Sequence, residues 1–147
     1  MLEKIIKEKI SADHLLYVSL KYTKTCDVIL NLIKRWSIMV SDSIDGLLIT
    51  AKKKKKIKTI PAAPRQKIEL AKKTFKKVPE VMKTMELLDL FKRIDNLPKK
   101  REHEFRKNVC LLVNDQGKEI TINLDELKNY SKILEDFIAY VRQYLLS

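Results

Sequence analysis

The chain has 147 residues and a net charge of +12, a length that suits a single domain able to bury its own core. Its two glycines exclude both a P-loop and a G-x-G-x-x-G phosphate cradle and leave few turns for a sandwich or barrel, whereas abundant Leu, Ile, Lys and Glu favour helix. Two cysteines and two histidines, all scattered, have neither zinc-ligand spacing nor a disulfide framework, so no metal and no cofactor is expected and both thiols read as buried and free.

In chain order, Leu2, Ile5, Ile6 and Ile10 suit a short amphipathic helix or arm. With Ser11 and Asp13 as N-cap types, the spacing predicts a long central helix running to about Trp36. Its apolar stripe is Leu15, Val18, Tyr22, Cys26, Ile29, Ile33 and Trp36, at intervals of three and four, widened by Leu16, Leu20 and Leu30. A second helix is expected from about Ser41, capped by Ser41 or Ser43, with Asp42 and Asp45 in its first turn and Ile44, Leu47, Leu48 and Ala51 inward. Residues 56–65, with Pro61 and Pro64, read as an extended crossover. A third helix is expected from Gln66 to Lys77. A fourth opens at Pro79 with Val81, Met85, Leu88 and Phe91 as its stripe, until "NLPKK" breaks the chain at Pro98.

Residues 99–113 admit two readings. Phe105, Val109 and Leu112 fit helical spacing; Val109, Leu111 and Val113 fit a strand. The expectation adopted is a helix over about 99–107 passing into a small hairpin, roughly 109–113 with 119–123, turned at Asn114 to Gly117. One helix through Val113 is the rival. The last helix starts at Asn123 or Asp125 and carries Leu124, Leu127, Leu134, Ile138, Val141 and Leu145, broadened by Tyr130, Phe137 and Tyr140. The expected fold is therefore mainly α: a helical bundle of about five helices with a small β-hairpin near 109–123. No apolar run approaches the ~18 residues of a membrane span, and "MLEKIIKEKI" lacks a signal peptide's apolar region, so no membrane is expected and the location is expected to be cytoplasmic.

Charge is concentrated. Between Ala51 and Lys77 stand twelve Lys or Arg and one acid, Glu69; the remainder has nineteen basic and eighteen acidic residues. Lysines favour a helix C-terminus, which accounts for part of the run Lys52, Lys53, Lys54, Lys55 and Lys56, but five in a row exceed what capping needs. A second basic segment, "KKREHEFRKN", holds Lys99, Lys100, Arg101, His103, Arg106 and Lys107. On the expected helix, Lys99, His103 and Arg106 share a face and Glu102 is spaced to pair with Arg106. These residues of both segments are the candidate phosphate contacts to RNA or DNA. The lysine run has no interleaved aromatic residue for base stacking and no large apolar face for a membrane surface, so the expected binding is sequence-tolerant and salt-dependent. His14, near an expected helix start, reads as packing or capping. His103 among guanidinium groups is a candidate acid or base for metal-independent RNA cleavage, but no nucleophile elbow marks a serine and no catalytic residue is assigned.

The overall plan resembles the HEPN superfamily. The likeness lies in a long first helix, "ADHLLYVSLKYTKTCDVILNLIKRW", an antiparallel partner helix, and a late element containing arginine, "REHEFRKN". It implies a compact helical domain that in many members dimerises and cleaves RNA. The family's active site is an arginine followed, after four to six residues, by a histidine. Arg101 instead meets "RKN" at 106–108 and Arg106 meets "LLV" at 111–113, so only an arginine matches. The resemblance thus implies a non-catalytic, binding or scaffolding member. Two other functions stand beside polyanion binding. One is a homodimerisation or protein–protein module using Trp36, Met39 and the Tyr130/Tyr140 face; the other is a divergent ribonuclease using His103.

Overall fold

In the computed structural model, which describes residues 1–147, helix α1 runs over Leu2–His14, through a π-helical stretch, Leu15–Ser19, into a last turn, Leu20–Tyr22. Its buried stripe steps by four, through Ala12, Leu16 and Leu20, with Ile5 one heptad earlier. In a pure α-helix such steps drift by about 40° each, and the wider π turn offsets that drift, so all three stay on the core. Val18 and Tyr22 consequently turn outward, and the stripe expected through them is broken. His14 lies inside this continuous helix rather than near a start.

The long helix expected to reach Trp36 is two helices. Thr25 caps a new one: its hydroxyl oxygen accepts the Val28 amide at 3.4 Å, and Asp27 follows in the first turn. This helix, α2 (Cys26–Lys53), continues through the point where a separate helix was expected at Ser41. Ser43 does not cap, because its hydroxyl donates to the Met39 carbonyl at 2.7 Å, as Ser37 does to Ile33 at 3.0 Å. Asp42 and Asp45 serve other helices, reaching Lys4 (3.3 Å) and Lys67 (3.0 Å).

The crossover leads to α3 (Pro64–Thr74), which begins at its proline and stops short of Lys77, and then to α4 (Pro79–Ile94), which opens on Pro79 as expected. The segment expected as a helix over 99–107 is instead β1 (Lys99–Glu102) followed by a loop. β1 has no apolar residue of its own. Antiparallel pairing with β2 (Cys110–Asp115) fixes it, Lys99 opposite Val113 and Glu102 opposite Cys110. Its charges sit on a sheet edge, where they discourage a further strand. β2 also pairs with β3 (Lys118–Ile122), so the expected hairpin is present as part of a three-stranded sheet. Gln116 and Gly117 make its turn, both at positive φ (54° and 87°), as a type I′ turn requires. The last helix, α5 (Leu124–Leu146), starts at Asn123, whose Oδ1 accepts the Glu126 amide at 2.8 Å.

One continuous core links these elements. Trp36 stacks on Phe91 (5.9 Å), and Phe91 meets Tyr130 edge-on (5.6 Å). Leu111, Val113 and Ile122 seal the sheet against the helices. α2 and α5 run parallel. At the sheet end the Cys26 thiol donates to the Cys110 carbonyl (3.3 Å), and at the far end Lys54 reaches Ser147.

Candidate functional site

The lysine run stands where α2, α3 and α5 all end. The Tyr144 ring joins them: Lys54 Nζ lies 4.3 Å from its centroid and the Phe75 ring 5.1 Å away, edge-on. Helix C-termini present free carbonyls and partial negative charge, so Lys52, Lys53, Lys72 and Lys73, in two last turns, have a structural role. The run itself makes the bend. The Lys56 amide donates to the Ala51 carbonyl (2.9 Å) and the Lys55 amide to Lys52 (3.0 Å), the two bonds of a Schellman motif. Lys55 takes the left-handed position (φ 60°) that usually falls to glycine.

Capping accounts for only part of this charge. Lys52, Lys53, Lys55, Lys56, Lys58, Lys73, Lys76 and Lys77 form no ion pair with any carboxylate. A groove of about 430 Å³ opens among them, with Lys56, Lys58 and Lys73 on its rim, Thr59 and Thr74 beside them and Ile57 and Leu70 as its apolar wall. Lys58, Lys73, Lys76 and Lys77 were not among the expected contacts; the charge excess over 51–77 was the signal for them. Lys54, which was, is folded back onto Tyr144 and Ser147.

The 99–107 segment lies at the other end of α2. Arg101 Nη2 pairs with Asp27 Oδ1 at 2.7 Å, Glu104 Oε1 accepts the Cys26 amide at 3.1 Å, and the Phe105 amide donates to the Lys24 carbonyl at 2.6 Å. Twenty-eight residues of helix, about 42 Å, separate this cluster from the lysine run. The two basic segments therefore form no common face. Much of the second segment is also engaged internally. Lys99 Nζ donates to the carbonyls of Ile94 (2.8 Å), Leu97 (3.1 Å) and Asp95 (3.3 Å), closing the end of α4. Lys100 pairs with Glu102 (3.6 Å), and Arg101 holds Glu104 (3.6 Å) as well as Asp27, whose carboxyl its hydrogen bond and charge keep below the usual range. Arg106 and Lys107 have no acidic partner.

Since 99–102 is a strand, Lys99, His103 and Arg106 share no helical face. His103, at φ 55°, lies 3.7 Å from Glu102, so the expected Glu102–Arg106 pair is replaced by Glu102 with Lys100 and His103. The residues expected to form a dimer or partner face are inside: Trp36, Met39 and Tyr130 are buried, and Tyr140 is half-buried, edge-on to Phe75. Both thiols are buried and free. Burial, with the Glu104 carboxylate nearby, pushes Cys26 up to about 11, and burial raises Cys110 as well. No helix is long and apolar enough to cross a membrane. No family model matches the chain, and neither the curated proteins nor the solved structures show a significant match to it.

Proposed function

We propose that this chain binds a polyanion, RNA or DNA, at its lysine-rich end, through Lys52, Lys53, Lys55, Lys56, Lys58, Lys73, Lys76 and Lys77. The observation that supports the reading is the gathering of these eight ammonium groups, none paired with a carboxylate, at the end of three helices, with Lys56, Lys58 and Lys73 on the rim of one groove there. Like charges so close repel one another, and a row of phosphates relieves that repulsion while releasing the nucleic acid's condensed counterions. Sequence readout is not part of the reading. The aromatic rings at this end, Phe75 and Tyr144, are packed on each other and under Lys54, leaving none free to stack on a base.

The test is a titration of a fluorescently labelled 20-base-pair duplex at about 50 mM salt. The comparison is between the chain and its K52Q/K53Q/K55Q/K56Q variant, with Lys54 kept because it packs on Tyr144. Measurable binding that weakens about tenfold or more in the variant, with little dependence on duplex sequence, is the expected result. An unbound duplex, or equal affinities, refutes the reading.

A further inference from the structure

The opposite end of α2 carries a surface of different chemistry. Tyr22 and Phe105 are the most exposed aromatic residues of the chain, at 78 % and 76 %. Tyr22 closes α1. Phe105 is held in left-handed backbone (φ 67°), a conformation unfavourable for a phenylalanine, and its ring gains no packing there. The bond from its amide to the Lys24 carbonyl joins the 103–108 loop to the break at 23–25, so Phe105 and the end of α1 that carries Tyr22 stand at the same end of the molecule.

Four cations at this end are unpaired, Lys24 Nζ donates to the Lys21 carbonyl, and of the acids here Asp125 is unpaired while the two beside the loop are engaged. Lys21, Arg106, Lys107 and Lys128 pair with no carboxylate, while Asp27 and Glu104 are both taken by Arg101. A groove of about 250 Å³ lies alongside, lined by Tyr17, Lys21, Lys24 and Lys128 over Leu16 and Leu20. Lys21 Nζ stands 5.9 Å from the Tyr22 ring centroid.

We propose that this end binds single-stranded nucleic acid, with bases stacked on Tyr22 and Phe105 and phosphates against Lys21, Lys24, Arg106 and Lys107. The cations select an anionic partner, and the two exposed rings select one that offers flat faces. A single strand has both, whereas a duplex hides its base faces. The site does not rest on the lysine-rich end, which is about 42 Å away.

The experiment compares labelled oligothymidylate of about five nucleotides, too short to reach both ends, with an abasic strand of the same length. Wild type, Y22A/F105A and the lysine-end variant K52Q/K53Q/K55Q/K56Q are each titrated with both strands. Thymidylate is expected to bind wild type more tightly than the abasic strand. Y22A/F105A is expected to lose about tenfold for thymidylate and little for the abasic strand, with an unchanged circular dichroism spectrum. The lysine-end variant is expected to keep the preference for thymidylate over the abasic strand. Equal binding of the two strands by wild type, no binding of thymidylate, or undiminished binding by Y22A/F105A overturns the proposal. Loss of the thymidylate preference in the lysine-end variant also overturns it. Duplex affinity belongs to the other end and stands or falls separately.

Discussion

Helix α1 lies on α2 with two carboxyl groups, Glu8 and Asp42, brought together in the contact and Lys4 3.3 Å from Asp42. One oxygen of Glu8 is buried without a hydrogen-bond partner. Burial, reinforced by the Asp42 carboxyl, pushes the Glu8 carboxyl from its ordinary 4.5 up to about 7, and Lys4 offsets part of this. Between those two values the folded chain holds a proton that the unfolded chain has released, so stability falls as pH rises from about 4.5 through about 7. At 1.36 kcal/mol per pH unit the full rise corresponds to about 3 kcal/mol; Glu8 is only half-buried, so solvent screening leaves about 1–2 kcal/mol. Glu8→Gln keeps the size and removes the charge. Urea denaturation followed by circular dichroism is expected to give the variant near-wild-type stability at pH 5 and about 1–2 kcal/mol more than wild type at pH 8. Parallel pH profiles for the two proteins, or a variant no more stable than wild type at pH 8, would refute the reasoning.

Asn123→Ala removes the acceptor for the Glu126 amide and is expected to cost about 1 kcal/mol, read as a lower urea midpoint at unchanged slope. Lys55→Gly relieves a left-handed lysine and is expected to stabilise by about 0.5–1 kcal/mol while weakening duplex binding, so a thermal melt and a titration should move in opposite directions. Cys26 and Cys110, buried and with raised thiol pKa values, are expected to react with a disulfide reagent slowly in the native state and rapidly in denaturant; fast native labelling would contradict their burial.

Much of this architecture was legible because local rules decide it. Pro79 sits at a first helical position, Asn123 caps the last helix, and β-branched alternation around Gly117 marks the hairpin, whereas Pro64, read as part of the crossover, opens its helix two residues before the expected start at Gln66. What misled was local signal overridden by context. Leu15, Val18, Tyr22 and Cys26 have good helical spacing, yet a π turn rotates Val18 and Tyr22 to solvent and Thr25 starts a new helix. Ser41 to Asp45 looks like a helix start, yet Ser43 bonds backward and the two aspartates bind lysines of other helices. "KKRE" becomes a strand only through its non-local partner β2, and no periodicity could show that. For the candidate site, the charge excess of 51–77 was visible as composition. The groove that Lys56, Lys58 and Lys73 rim, and its separation from 99–107 by the length of α2, depended on tertiary packing.

The most direct test of polyanion binding at the lysine-rich end is the salt dependence of duplex affinity, measured between about 50 and 300 mM monovalent salt. If half of the eight unpaired lysines meet phosphates, log K against log salt should fall with a slope of about −4, and K52Q/K53Q/K55Q/K56Q should reduce that slope by about 2 or more. A flat salt profile, or a variant with the wild-type slope, would contradict the account.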